Sequence, residues 1–379
     1  MLFIQNAQIL SCAENDYENG YIQIEGDCIV QVGSMSHCPP PSVTDKVIDA
    51  AGLVACPGFV DAHSHAGLME EILLEPGDDC NELSDPISPQ LRASDGINPC
   101  DGAFADALSA GVTTAVIGPG SANPIGGTFC AMKTYGSTME EMLLRDQVAM
   151  KISFGENPKQ FGRSKGRAPM TRMATAALLR ETFTRASRYA SSLSRGEDVP
   201  YDFKLEALLG VIRGEMPVKC HAHRADDIET ALRIAREFHL KVSIEHATEG
   251  YKIPTLLSGL PVCVGPMIGD KSKPEIGAAS LQNAAVLAQN GAAVAIISDH
   301  FENPAALLPL YASLAVRGGL SPKDALLAIT ATAAQNCGIA DLVGSLAKGK
   351  RADICLFDRF PLDFSAKLVT LVAGGKKIR

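Results

Sequence analysis

Histidine is scarce in this chain, with eight among 379 residues, yet His63 and His65 stand two apart directly after the apolar run spanning 53–60. Residues i and i+2 of a β-strand point to the same face, so both imidazoles can reach one cation. Four further strings share this context, each closing an apolar, strand-like run with a group able to hold a metal. They are Glu156 after VAMKISFG, His221 after MPVKC, His246 after KVSIE and Asp299 after GAAVAIIS. Imidazole and carboxylate donors without thiolate suit one or two divalent ions, zinc first, with iron, manganese or nickel as alternatives. Such an ion activates water and polarises a carbonyl, so the chemistry indicated is hydrolytic.

Each string alone has a plainer reading. Alternate histidines can sit on a polar strand face, His221 to Arg224 can be a surface turn, Glu245-His246 a buried ion pair, and Asp299-His300 a helix cap. The strings argue jointly, because six of the eight histidines (63, 65, 221, 223, 246 and 300) fall at such run ends while His37 and His239 do not.

The elements that must position these groups can be read from periodicity. From 57 to 340, strand-like runs alternate with stretches of helical period, as where 228–238 precedes Lys241-Val242-Ser243-Ile244. This α/β alternation predicts a (β/α)8 TIM barrel, with a doubly wound open sheet as the alternative. His221 and His246 are separated by about one βα unit, and His246 and Asp299 by about two, which assigns them to strands five, six and eight. In a barrel these strand ends share the one face where catalytic groups collect. Short alternating runs at 2–10, 20–24, 28–33 and 46–50 match others at 352–358 and 368–375. The segments 1–56 and 341–379 are therefore expected to form one small β-sandwich around the inserted barrel of 57–340. Two segments, 157–167 and 265–276, read as mobile loops that cover a substrate. The glycine-rich stretch 117–127 carries no phosphate-binding fingerprint and reads as a loop on the site floor.

Composition narrows the partners. A net charge of −9 argues against nucleic acid, which needs clustered Lys and Arg. No run is apolar enough to span a bilayer and the N-terminus lacks a basic region before a long apolar segment, so a cytoplasmic location and no membrane partner are expected. Eleven cysteines are scattered without a Cys-x-x-Cys pair, which suggests buried thiols rather than disulfides or a thiolate metal site. A small-molecule substrate is expected.

The motifs also carry a family resemblance. GLVACPGFVDAHSH and GSLAKGKRADICLFD resemble the entry to and exit from the barrel in the amidohydrolase superfamily. FGENPK, CHAHRADDI, EHATEGY and IISDH resemble a branch grouped with imidazolonepropionase-related amidohydrolases. The resemblance implies that His63, His65 and Asp299 hold the more buried metal, and that His221 and His246 hold a second or touch the attacking water or substrate. On strand four it offers two candidates for a bridging ligand, a carboxylated Lys151 or Glu156. Glu156 is preferred, because it needs no modification and Asn157-Pro158 fixes the turn behind it. Asp299 is expected to act as general base, with His246 or His223 stabilising the oxyanion and His223 contacting substrate. Lys159, Arg224 and Lys271, in expected rim loops, are candidates for a substrate carboxylate. A homo-oligomer is implied as well.

The function this implies is cleavage of a C–N bond in a small amide, cyclic amide or dipeptide-like compound. Deamination of an aminated heterocycle by a single metal is the alternative. Similar deaminases place a glutamate three residues after the strand-five histidine, where this chain has Arg224, which counts against it. A non-catalytic scaffold would lack a ligand, and none is missing.

Overall fold

The computed structural model describes residues 1–71, 75–269 and 271–379. Sixteen strands are labelled in chain order. The first five are β1 (Leu2–Ile9), β2 (Tyr17–Glu25), β3 (Cys28–Ser34), β4 (Lys46–Asp49) and β5 (Val54–Pro57). The barrel follows with β6 (Phe59–Ser64), β7 (Val112–Ile117), β8 (Ile125–Lys133), β9 (Leu143–Ser153), β10 (Val218–Ala222), β11 (Val242–His246), β12 (Pro261–Val264) and β13 (Ala293–Ile296). The chain closes with β14 (Ile354–Phe357), β15 (Leu368–Ala373) and β16 (Lys376–Lys377).

Both chain ends enter one sheet of order β16-β15-β14-β5-β1-β2-β3, with β4 beside β1. Alternation along β1 and β2 sends Ile4, Ile9, Ile22 and Ile24 into a shared core with Ile354 and Leu356 of the other chain end. Antiparallel pairing of β14 with β5 joins the two segments, Cys355 opposite Cys56. Only Gly58 separates β5 from the first barrel strand, so the terminal sheet anchors the strand that carries His63.

The second sheet runs in order β6 through β13. Its ends meet where the Asp299 amide donates to the His63 carbonyl at 3.1 Å, so the sheet is a barrel rather than the open alternative. It departs from a fully alternating barrel at one strand: β8 is antiparallel to both β7 and β9. The cause is chain length, since a parallel connection needs a crossover of a dozen or more residues and only 118–124 link β7 to β8. The glycine-rich stretch is thus a tight connection at the barrel mouth.

Helices cover the outside. Helix Ala225–Glu237 buries Ile228, Ala231, Leu232 and Ala235, the 3–4 spacing of an apolar stripe. Helix Arg172–Ser194 starts at Thr171, whose hydroxyl accepts the Ala174 amide. The expected loop at 157–167 is instead largely helical, Glu156–Ser164. Pro158 falls in the first turn, where its missing N–H is not needed. Gly162 lets the helix pack against the Pro169 backbone, where a Cβ would come within 1.9 Å of the carbonyl oxygen. The second expected loop holds apart from a short turn at Pro274–Ile276, and its Asp270 lies outside the described residues. Among the described residues no helix is long and apolar enough to cross a membrane.

Candidate active site

The carboxyl ends of β6, β10, β11 and β13 bring His63, His65, His221, His223, His246 and Asp299 together, all buried. Their donor atoms form two groups that share His246. One comprises His63, His246 and Asp299, the other His221, His223 and His246, with ligand atoms in each within 4.8 Å of one another. Consecutive strand residues face opposite sides, yet Glu245 and His246 both reach the barrel interior. The strand ends there in left-handed backbone, φ 69° at His246 and 44° at Ala247, which turns the imidazole inward. Asp299, three residues past the end of β13, has φ 56°. Left-handed backbone costs a non-glycine residue roughly 1–2 kcal/mol, so the ligand geometry is held by its surroundings.

Those surroundings are hydrogen bonds at Nδ1 of each ring. His63 Nδ1 meets Glu245 Oε2 at 2.6 Å, His65 Nδ1 meets the Gly118 carbonyl at 2.6 Å, and His246 Nδ1 meets the Gly265 carbonyl at 2.9 Å. A carboxylate or carbonyl can only accept, so in all three rings Nδ1 carries a proton. Both glycines are required by space. A Cβ at Gly118 would lie 2.1 Å from the Phe129 ring, and one at Gly265 would lie 2.4 Å from the Ile297 carbonyl oxygen. The Phe129 ring in turn packs edge-on against His63 with centroids 5.2 Å apart. His223 Nδ1 meets the Thr248 hydroxyl at 2.7 Å.

The electrostatics suit a cation. Burial holds His63, His221 and His223 well below the usual imidazole range and lowers His246. Burial alone would raise the Asp299 carboxyl, but His246 and the His65 hydrogen bond hold it well below the usual range. His65 behaves differently: burial lowers it, but Cys80 and Asp299 carry it up to about 10. A proton on His65 Nε2, 3.4 Å from Asp299 Oδ1, therefore occupies a place that a bound metal would compete for. The Nε2 atoms of His221 and His246 are buried without a hydrogen-bond partner, although buried polar atoms are almost always paired. Orphaned imidazole nitrogens in a buried cluster that includes a carboxylate fit a divalent metal.

The two strand-four candidates separate. Lys151 is fully buried and points inward, with Nζ 3.1 Å from His63 Nε2. Burial lowers its ammonium to about 8. Glu156 opens the helix Glu156–Ser164 and is absent from both metal-ligand groups. Its amide donates to Glu275 Oε2 at 2.8 Å.

A cavity of about 340 Å³ opens over this cluster, lined by His65, His221, His223 and Asp299 and, from the mouth, by Cys80, Phe161 and Lys273. That volume suits a small molecule. Of the three expected rim cations, Arg224 pairs with Asp226 at the surface, Lys159 is half-buried on its helix, and Lys271 lines a depression whose wall also includes His246. Lys273, two residues beyond Lys271, is the lysine that lines the cavity among the described residues. Residue spacing did not single out Cys80, Glu275 or Lys273, because loop residues lack the periodicity that tells inward from outward.

The Amidohydrolase family profile matches residues 54–378. A crystal structure of an amidohydrolase from Thermotoga maritima MSB8 superposes with a TM-score of 0.94 at 34% identity, covering 100% of both chains. Among curated relatives, Amidohydrolase tasK of Hapsidospora irregularis is 29% identical over 92% of this chain. The chain spans 39% of that relative's length. An imidazolonepropionase of Brevibacillus brevis is 25% identical over 90% of this chain and 84% of its own.

Proposed function

The chain belongs to the amidohydrolase family, enzymes acting on carbon–nitrogen bonds, and from that premise we propose that it hydrolyses a small amide, cyclic amide or dipeptide-like compound at a metal centre. The observation that carries this reading is that the buried Nε2 atoms of His221 and His246 have no hydrogen-bond partner, in a cluster that also holds Asp299. In the proposal His63, His65 and Asp299 hold one divalent ion, zinc by donor chemistry, and His221 and His246 hold a second. Lys151 rather than Glu156 would be the bridging ligand, since its inward, lowered amine, 3.1 Å from His63 Nε2, is suited to carboxylation. When bound, the ions supply Lewis acidity and make hydroxide available near neutral pH.

The chain's own groups do the rest. Asp299 accepts a proton from the attacking water and returns it to the leaving nitrogen. The Thr248 hydroxyl can donate as well as accept, so His223 can carry its proton on Nε2 and donate it to the carbonyl oxygen as negative charge develops. Deamination is the weaker reading. Arg224 stands where a carboxylate would be needed, and its side chain turns out to Asp226.

The test is a substrate panel offered to protein loaded with zinc, comprising N-acyl amino acids, lactams, hydantoins, dipeptides and aminated purines and pyrimidines. New carboxylate from the amide classes supports the proposal; ammonia released from the heterocycles alone overturns it in favour of deamination.

A further inference from the structure

The mechanism proposed above leaves unused two charged side chains at the barrel centre, Glu245 and Lys219, both essentially without solvent contact. Burying a charge is costly unless it is paired and hydrogen-bonded. Here the pairing is dense. Lys219 Nζ reaches both Glu245 oxygens at 3.1 and 3.0 Å, Ser243 Oγ donates to Oε1 at 2.5 Å, and His63 Nδ1 closes on Oε2 at 2.6 Å. Three donors converge on one carboxylate, and only one of them belongs to the metal cluster.

The arrangement follows from register. Lys219 lies two residues before His221 on β10 and Glu245 sits opposite His221 on β11, so all three point into the barrel. Lys219 and Lys151 are also strand neighbours. Glu245 is thus fixed by two groups, Lys219 and Ser243, before it meets His63.

We infer that Glu245, locked by Lys219 and Ser243, is the positioning residue that sets the tautomer of His63 and thereby the affinity for the ion that His63 would hold. With Nδ1–H committed to Glu245, Nε2 presents its lone pair toward Lys151 Nζ, 3.1 Å away, and Asp299 Oδ1, 3.7 Å away. The carboxylate also makes the ring a stronger donor to a cation. The other two oriented rings rely on neutral carbonyls, of Gly118 and Gly265, so His63 is the ligand with a charged partner. The effect on affinity rests on reading His63 as a metal ligand; the tautomer does not.

The experiment therefore has two readouts. Imidazole nitrogen NMR of metal-free, histidine-labelled protein reports which ring nitrogen of His63 bears the proton, with His63→Gln giving the assignment. Nδ1–H is expected in the wild type; Nε2–H there would overturn the inference outright. Chelator competition with Zn2+ then compares the wild type with Glu245→Gln and with the double substitution Glu245→Met/Lys219→Met, which removes both charges and leaves none unpaired. Affinity for one ion should fall about 10- to 100-fold in the variants, with a mixed His63 tautomer in the double variant. Wild-type affinity and an unchanged tautomer in a folded double variant would reduce the pair to a structural role. Wild type with the Nδ1–H tautomer but no Zn2+ binding would instead overturn the metal reading together with the affinity part of the inference.

Discussion

Lys151 Nζ lies 3.1 Å from His63 Nε2, with both side chains sealed from solvent. The lysine donates toward the lone pair that a metal would use. It therefore touches a candidate ligand directly, and the question of the bridging ligand turns on this contact.

Asp299→Asn is isosteric and keeps the backbone hydrogen bond from residue 299 to the His63 carbonyl. It removes the proton acceptor and a ligand charge. Turnover should fall by at least about 10²–10⁴-fold, the range for losing a general base, with an unchanged circular dichroism spectrum. Near wild-type turnover would remove Asp299 from the mechanism.

Gly118→Ala drives a methyl group into Phe129, the ring that packs on His63, and disturbs the carbonyl that orients His65. Overpacking of this kind costs about 1–3 kcal/mol. A denaturant titration should show a lowered midpoint, and the surviving folded protein should bind zinc more weakly.

Much of this was legible in the residues. Strand-end placement of His63, His65, His221, His246 and Asp299 followed from apolar runs and their spacing, and the barrel from alternating periods. The reversed β8 was legible in principle, since 118–124 is too short for a crossover. The helix Glu156–Ser164 was hidden by its own glycine and proline, which read as loop until the first-turn position of Pro158 and the packing of Gly162 are seen. Lys151 against Glu156 could not be settled from the strand. Residues 148–153 of β9 are all buried, so no alternation marks which side faces the barrel interior. Register with β10 supplies that, pairing Lys151 with Lys219.

Glu275, whose Oε1 lies 4.0 Å from His223 Nε2, gives a pH test of stability. Burial, with Glu156 and Asp227 nearby, pushes its carboxyl from 4.5 up to about 7. An acid raised on folding is neutral in both states below its unfolded value. Its charging penalises the folded state as pH rises from about 4.5 to about 7, and the penalty is constant above that. Glu275→Gln escapes this cost, so its stability relative to wild type should climb through that window by on the order of 2 kcal/mol. Denaturant midpoints at a series of pH values would check it; a difference that does not vary with pH would contradict it.

The most direct measurement is metal content per chain by elemental analysis, on protein purified without chelator and incubated with zinc and bicarbonate, for wild type, Lys151→Ala and Glu156→Gln in parallel. Two ions in the wild type and in Glu156→Gln, falling to one or none in Lys151→Ala, is the predicted result. Equal content in wild type and Lys151→Ala, with loss in Glu156→Gln, would contradict the account and return the bridge to Glu156.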